Sequence, residues 1–312
     1  MKIGILGTGF GAYHARLYKN ISSVDSIIIY GRDKEKLEKI SIETGIEATN
    51  DLESIISDKS IDLIDVCMPS IIHREYVIGA LKNGKDVFCE TPVALNLEDA
   101  LAMKKASNRY GKKVYVDNFI KFEPPYRYLY NLVKYNKLGK LKVLHIKRKT
   151  PPIWGKLGLD KIVTNLMIHE FDFISWLLGN PENISSYGIE PKDGEAHVEA
   201  ILTYNSNTIV NIQASSLIPK YHAFTVGYEA DFEYGTIEYF ENGYADRTES
   251  SLKLFTDKKE ENVDLESKNC YEEAFKHVLE CSKSNIYGIL WLDDAIKSLR
   301  LALEVKDKMI TF

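Results

Sequence analysis

The sequence predicts an α/β protein with two parts. A doubly wound parallel sheet comes first, followed by an α+β domain built on a large, mostly antiparallel open sheet. Three observations predict this. Short, continuously apolar runs alternate with helical patterns of about 10 to 15 residues as far as Val116, the arrangement of βαβ units. A glycine-rich turn, Gly7-Thr8-Gly9-Phe10-Gly11-Ala12, closes the first run. Past residue 197 the period becomes two, the sign of an antiparallel sheet with one wetter face.

The elements follow in order. Lys2–Leu6 reads as a strand, and Ala15, Leu17 and Tyr18 suit the helix after the glycine turn. Ser26–Tyr30 is a second β-branched run, and a charged helix opens at Asp33 and ends near Gly45. Asp62–Met68 is a strand stopped by Pro69, which cannot donate to a ladder. Glu75–Leu81 is helical, with Gly84 placed for the left-handed turn past its end. Asp86–Cys89 is a strand. Asn96 caps Leu97–Tyr110, Gly111 closes that helix, and Lys113–Val116 is the last strand of the series. In the second half, Val198–Tyr204 and Val210–Ala214 alternate around an Asn205-Ser206-Asn207 turn. Tyr221–Tyr228, Asp231–Tyr239 and Ser251–Phe255 are further strand candidates, and Tyr271–Ser282 and Asp293–Met309 return to helical spacing. The alternation stops near Asn118–Pro125, so the boundary is set at residues 1–119 and 120–289, with helix 290–312 packing back on the first domain.

The 312 residues suffice for two cores, and a net charge of −5 with a pI near 5.9 argues against a nucleic-acid footprint or a polybasic membrane anchor. No apolar run approaches the roughly 18 to 20 residues of a membrane helix. The opening MKIGILGTG is strand and loop rather than a targeting segment. Cys67, Cys89, Cys270 and Cys281 form no CxxC pair, so no metal site is expected. These features predict a reduced, cytoplasmic protein that acts on a small molecule.

A glycine loop that follows a strand and opens a helix is a dinucleotide site: Gly7 for the tight turn, Gly9 for close approach of the pyrophosphate, and a small residue at Ala12 for helix–strand packing. The end of the second strand selects the cofactor. An acid there would hold the ribose hydroxyl of NAD, whereas Tyr30-Gly31-Arg32-Asp33 offers Arg32 to a 2′-phosphate, with Asp33 read as a helix cap. NADP(H) is therefore preferred over NAD(H).

At this point the chain resembles the Gfo/Idh/MocA family, named for glucose-fructose oxidoreductase, inositol dehydrogenase and a rhizopine-catabolism protein. The resemblance is carried by GTGFGAYHARLY, DVCMPSIIHREYVIGALKNGKDVFCETP, WGKLGLDKIVTNLMIHEFDFISWL and LDDAIKSLRLALEVKDK. It implies an N-terminal Rossmann domain, a C-terminal domain with an open sheet, a homodimer or homotetramer formed through that sheet, and a sugar, polyol or related hydroxyl or carbonyl substrate. With it come cofactor contacts at Gly7, Thr8, Gly9, Phe10, Gly11, Ala12, Arg32, Pro69, His73, Glu90 and Asn118, and substrate contacts at Trp154, Lys156 and Asp172. His169 matches the family's catalytic histidine. The family's lysine, however, falls at Thr91, and the first acid of its histidine motif at Asn165.

Two charges are thus missing. Hydride transfer to or from an alcohol needs a proton acceptor or donor and a group that stabilises the developing alkoxide, and losing one such donor costs roughly a hundred- to a thousand-fold in rate. Lys121, directly after the last parallel strand, is the candidate substitute, although a solvated lysine at a domain junction is the plainer reading. His169 lies among Leu166, Ile168, Phe171 and Ile174, so a core histidine competes with an acid/base role near neutral pH. The leading expectation is an NADP(H)-dependent oxidoreductase with His169, Lys121, Asn165 and Thr91 at the chemistry. A nucleotide-binding regulator or scaffold that kept the fold is the alternative, and a reductase of a conjugated, pigment-like substrate is the third.

Overall fold

The computed structural model describes residues 1–153 and 155–312. The chain divides into two compact units, Met1–Phe122 with Lys268–Ile296, and Glu123–Ser267 with Lys297–Phe312. The division therefore falls after residue 122 rather than 119. The segment returned to the first unit is 268–296, while 297–312 belongs to the second, against the expected return of 290–312.

The first unit runs β1 (Lys2–Leu6), α1 (Phe10–Tyr18), β2 (Ser26–Tyr30), α2 (Lys34–Thr44), β3 (Glu47–Thr49), α3 (Leu52–Ile56), β4 (Leu63–Val66), α4 (His73–Lys82), β5 (Asp86–Cys89), α5 (Leu97–Tyr110) and β6 (Val114–Val116). The six strands form one parallel sheet in the order β3-β2-β1-β4-β5-β6. The order reverses between β1 and β4, the switch point outside which doubly wound sheets bind ligands. Every residue of β4, β5 and β6 is buried, as expected of strands covered on both faces. The expected caps are in place: Asn96 Oδ1 accepts from Asp99 N at 2.8 Å, and Gly111 and Gly84 take φ of 62° and 76°. β3 escaped the sequence reading because three residues carry no period.

The second unit begins with α6 (Pro124–Lys134). Its Pro124-Pro125 pair starts a helix rather than merely breaking the chain, since the first helical position needs no N–H. It continues with β7 (Leu141–Lys149), α7 (Ile162–Asn165), α8 (Ile168–Leu178), β8 (Asn183–Lys192), β9 (Glu195–Tyr204), β10 (Thr208–Ser215), β11 (Phe224–Phe232), β12 (Gly235–Gly243), β13 (Thr248–Thr256) and β14 (Lys259–Asn262). Then come α9 (Cys270–Lys283), which belongs to the first unit, α10 (Leu292–Asp307) and β15 (Met309–Thr311). Nine strands form a mostly antiparallel sheet, β14-β13-β12-β11-β7-β10-β9-β8-β15, in which β7–β10 and β8–β15 are parallel. β9 alternates buried and half-buried residues along its whole length. The strand candidate Asp231–Tyr239 instead contains a turn at Glu233-Tyr234, because the inward alternation of Ala230 and Phe232 ends there and Gly235 starts the return. β7 was missed because Lys142, Lys147, Arg148 and Lys149 mask its apolar alternation. Polar β8, terminal β15 and the short, exposed β14 also went unread.

One cap tests this account. Replacing Asn96 with Ala removes the acceptor of the Asp99 N–H, and urea unfolding should report a loss of about 1 kcal/mol.

Candidate functional site

The glycine turn sets the geometry of the first unit's binding edge. Gly7 has φ of 114°, and a Cβ there would lie 2.4 Å from the carbonyl oxygen of Cys67, so no other residue fits without moving β4. Its N–H bonds Tyr30 O at 2.9 Å. Gly9 is the N-cap of α1, with no side-chain cap and no acid in the first turn. The first N–H groups of the helix are thus left for an anion, which is how a pyrophosphate would be held. Thr8 is half-buried, and Phe10 is exposed. The tightest helix–strand approach falls on Gly11, whose Cβ would meet Ile5 Cγ2 at 2.9 Å and Cys67 Cβ at 3.3 Å, rather than on Ala12, which is simply buried.

At the end of β2, a Cβ on Gly31 would come within 2.4 Å of Thr8 Cγ2, so the carboxylate that would select NAD is sterically excluded at that position. Arg32 is exposed and forms no ion pair with a described residue. Asp33 caps α2 by accepting from Lys36 N at 3.1 Å, as its position predicted.

The ends of β4, β5 and β6 carry the other expected contacts. Pro69 is exposed. His73 is buried, with Nε2 2.7 Å from Met68 O and Nδ1 3.2 Å from Val93 O. Burial pulls its pKa down, so the neutral ring donates through Nε2 and ties the turn after β4 to the segment after β5. Thr91 Oγ1 donates to Asn118 Oδ1 at 3.2 Å, and Thr91 N donates to Glu90 Oε2 at 3.0 Å. Lys121 corrects the plainer expectation: it is fully buried, and its Nζ donates to Ile289 O at 3.1 Å, so it is not a solvated junction lysine.

A group that the sequence reading left unassigned sits beneath these strand ends. His14 of α1 has Nδ1 2.8 Å from Asp65 Oδ2 and Nε2 2.9 Å from Glu90 Oε1, with Asp117 Oδ2 at 3.7 Å. Cys67 Sγ donates to Asp65 Oδ1 at 3.4 Å. His14, Asp65 and Asp117 have no exposed side-chain surface, and Glu90 has 16%. The available signal was an acid inside an otherwise apolar run, in Asp62–Met68 and again directly after Val116.

In the second unit, α8 carries Glu170, Phe171, Asp172 and Phe173 inward. His169 is half-buried, and burial together with the positive charge of Arg148 lowers its pKa well below 6.5. This corrects the expected near-neutral value: the ring is neutral at pH 7, and its surroundings oppose its protonation. Arg148 on β7 pairs with buried Glu170 at 2.7 Å, which offsets the cost of burying both charges. Asp172 is buried and accepts from Ser298 Oγ at 3.4 Å. Asn165 is exposed at the end of α7, where its Oδ1 accepts from Thr164 Oγ1 at 2.9 Å. Lys156 is exposed and paired with Asp193. Trp154 lies outside the described residues. Tyr228 is buried with its hydroxyl donating to Pro125 O at 2.8 Å, whereas Tyr221 is exposed.

Fold and loop together define a nucleotide-binding Rossmann unit joined to a second unit built on an open sheet. Comparison with known proteins agrees. Residues 1–118 match the oxidoreductase family with an NAD-binding Rossmann fold, and residues 126–238 match the GFO/IDH/MocA C-terminal domain. The chain belongs to the Gfo/Idh/MocA oxidoreductase family. It is 26% identical over 197 residues to an inositol 2-dehydrogenase of Pseudomonas savastanoi pv. phaseolicola, covering 62% of this chain and 58% of that protein. It is 32% identical over 194 residues to the 2,7-anhydro-N-acetylneuraminate hydratase of Escherichia coli K12, covering 59% and 52%. The chain thus spans a little over half the length of the curated relatives it matches. Among solved structures, a 3-ketoreductase from Actinomadura kijaniata in complex with NADP and TDP-benzene superposes with a TM-score of 0.84 at 15% identity, covering 100% and 99% of the two chains, which speaks to the fold alone.

The histidines carry a pH prediction. His169 and His73 have folded pKa values below their unfolded value, so between about pH 6.5 and 5 the unfolded chain takes up protons that the folded chain refuses. Stability is lost as pH falls through this window, by at most about 1.4 kcal/mol per pH unit for each ring. Denaturant unfolding at pH 7, 6 and 5 should show this slope, and His169→Gln should flatten it.

Proposed function

We propose that the chain is an NADP(H)-dependent oxidoreductase that moves a hydride to or from a carbohydrate, polyol or related hydroxyl or carbonyl group. The observation that carries the cofactor half is the end of β2, where Gly31 cannot bear a carboxylate and the free guanidinium of Arg32 follows it. The substrate half is supported by the inositol and neuraminate derivatives in the names of the relatives. The residues fit the cofactor: Gly7 to Ala12 and the uncapped start of α1 would hold its pyrophosphate and Arg32 its 2′-phosphate, with Pro69, His73, Glu90 and Asn118 along the same strand ends. When bound, the nicotinamide supplies or receives the hydride.

In oxidation, the neutral ring of His169 takes the hydroxyl proton, and in reduction it returns that proton. Thr91 offers a hydroxyl where a charged donor is expected, and Lys121 supplies the positive charge that Thr91 lacks. Asn165 orients by hydrogen bonding where a carboxylate would also stabilise the imidazolium, and Lys156 and Asp172 serve the substrate. Assembly as a homodimer or homotetramer uses the open face of the nine-stranded sheet. There His145, Lys147, Glu199, Gln213, Glu229 and Glu238 line a depression of about 310 Å3. A second reading, a regulator that binds the nucleotide without turnover, is favoured by the uncharged Thr91 and Asn165.

NADPH fluorescence titration decides the cofactor. The parent should bind NADPH more tightly than NADH, and Arg32→Glu should invert the order; equal loss for both nucleotides would sink the assignment. Nicotinamide absorbance with a panel of sugars, polyols and keto-sugars then tests turnover. His169→Ala should lower kcat by about a hundred- to ten-thousand-fold. Tight NADPH binding with no hydride transfer across the panel would favour the regulator.

A further inference from the structure

The cluster around His14 is buried, and His14, Asp65 and Asp117 have no part in the mechanism above. The imidazole faces a carboxylate oxygen at each ring nitrogen, Asp65 Oδ2 at 2.8 Å and Glu90 Oε1 at 2.9 Å. Cys67 already donates its S–H to the other oxygen of Asp65, and an ionised carboxylate only accepts, so the contact at Nδ1 requires a proton on the ring. At Nε2 the oxygen of Glu90 stands at ion-pair distance without hydrogen-bond geometry, so that contact is electrostatic and is made by a protonated ring. Glu90 is itself fixed from the far side, because its Oε2 accepts the N–H of Thr91 at 3.0 Å. One chain of contacts therefore runs from β4 through the glycine-loop helix to the turn that carries Thr91.

We propose that His14 is held as an imidazolium between Asp65 and Glu90 and acts as a positioning residue, locking the Glu90-Thr91-Pro92 turn to the helix that opens the nucleotide site. This rests on the functional reading only in giving that turn a role; the lock itself is a property of the free chain.

Every group that faces the ring is consistent with one trapped proton. From α1, Tyr18 is buried and its hydroxyl is kept neutral by burial and by the charge of Asp65, while Phe10 and Tyr13 stand over the helix side of the ring. From β4, burial keeps the Cys67 thiol neutral, and from β5 it does the same for Cys89. From the end of β6, Asp117 is raised well above its usual range by burial and then by the charge of Glu90, which disfavours a further negative charge beside the ring. From α9, Phe275 reaches the ring at a centroid separation of 4.6 Å, and it does not titrate. Burial alone would lower the pKa of His14. With Cys67 present as a thiol, the carboxylate of Asp65 and its hydrogen bond at Nδ1 are what oppose this. The sign follows: the stabilisation is complete below the unfolded pKa of about 6.5 and is lost as pH rises through the folded value.

The test uses nitrogen-15 NMR of the full chain without nucleotide, with His14→Gln to assign the ring. Both ring nitrogens of His14 should be protonated at pH 7, and the ring should lose a proton only in the alkaline range. The Thr91 amide should shift and exchange faster with the same inflection, and Glu90→Gln, which keeps the side-chain shape, should abolish that shared inflection. A neutral His14 at pH 7, with the proton on Glu90 or absent, would overturn the proposal. So would a Thr91 amide indifferent to the titration of His14. A parallel NADPH titration across the same pH range should show weaker binding past the inflection. No NADPH binding at any pH would count against the proposed function and leave the NMR result standing.

Discussion

The approach of the Gly7 turn to the backbone of Cys67 is the constraint on which the first unit depends. With 2.4 Å between a notional Cβ and the Cys67 carbonyl, only glycine lets β1 turn into α1 directly above β4. That placement puts the uncapped start of α1 at the edge of the sheet, and one turn further it delivers His14 between β4 and the end of β5. The anion-binding helix start and the buried histidine are thus consequences of one close contact. Gly11, packed on Ile5 and Cys67, keeps the rest of the helix at the same short distance.

The second unit solves a different problem, that of carrying charge through an apolar layer. β7 is rich in basic residues, yet it sits in the middle of the nine-stranded sheet, between β11 and β10. Arg148 can be buried there because Glu170 reaches it from α8 at 2.7 Å, and the same arginine depresses the pKa of His169, the next residue of the chain before Glu170. A buried pair of this kind adds little net stability against an apolar equivalent, but removing one partner leaves an uncompensated charge. Here its arginine also adds to the burial that lowers the pKa of a neighbouring histidine.

These two environments bear on the departures from the family pattern. The resemblance puts charged residues where this chain has Thr91 and Asn165, and the structure shows each occupied in local hydrogen bonding, Thr91 to Asn118 and Asn165 from Thr164. Charge at these strand ends resides instead in Glu90 and in Lys121.

Much of the first unit was legible in the sequence because its devices are local. The apolar runs of β1, β2, β4, β5 and β6, the caps at Asp33 and Asn96 and the glycines at 84 and 111 each depend on residues within a few positions of one another. The juxtaposition of Gly31 and an exposed Arg32 at the end of β2 is local in the same way. What the sequence hid was whatever joins distant segments. Asp65 and Asp117 looked like polar interruptions in strands, and only the packing of α1 brings His14 to them. Lys121 read as a surface lysine because its acceptor, Ile289, lies far along the chain. β7 was masked by basic residues, of which the buried one, Arg148, is paired with a carboxylate from a helix twenty-two residues later. The near-neutral pKa expected of His169 failed because desolvation and the field of Arg148 are properties of the folded layer. The sequence by itself thus determined the strand–helix alternation, the glycine turn and the family, since steric and periodic rules act over short spans. The tertiary structure alone decided which charges are buried and which protons they hold, because those depend on the distance between groups and on the water excluded from around them.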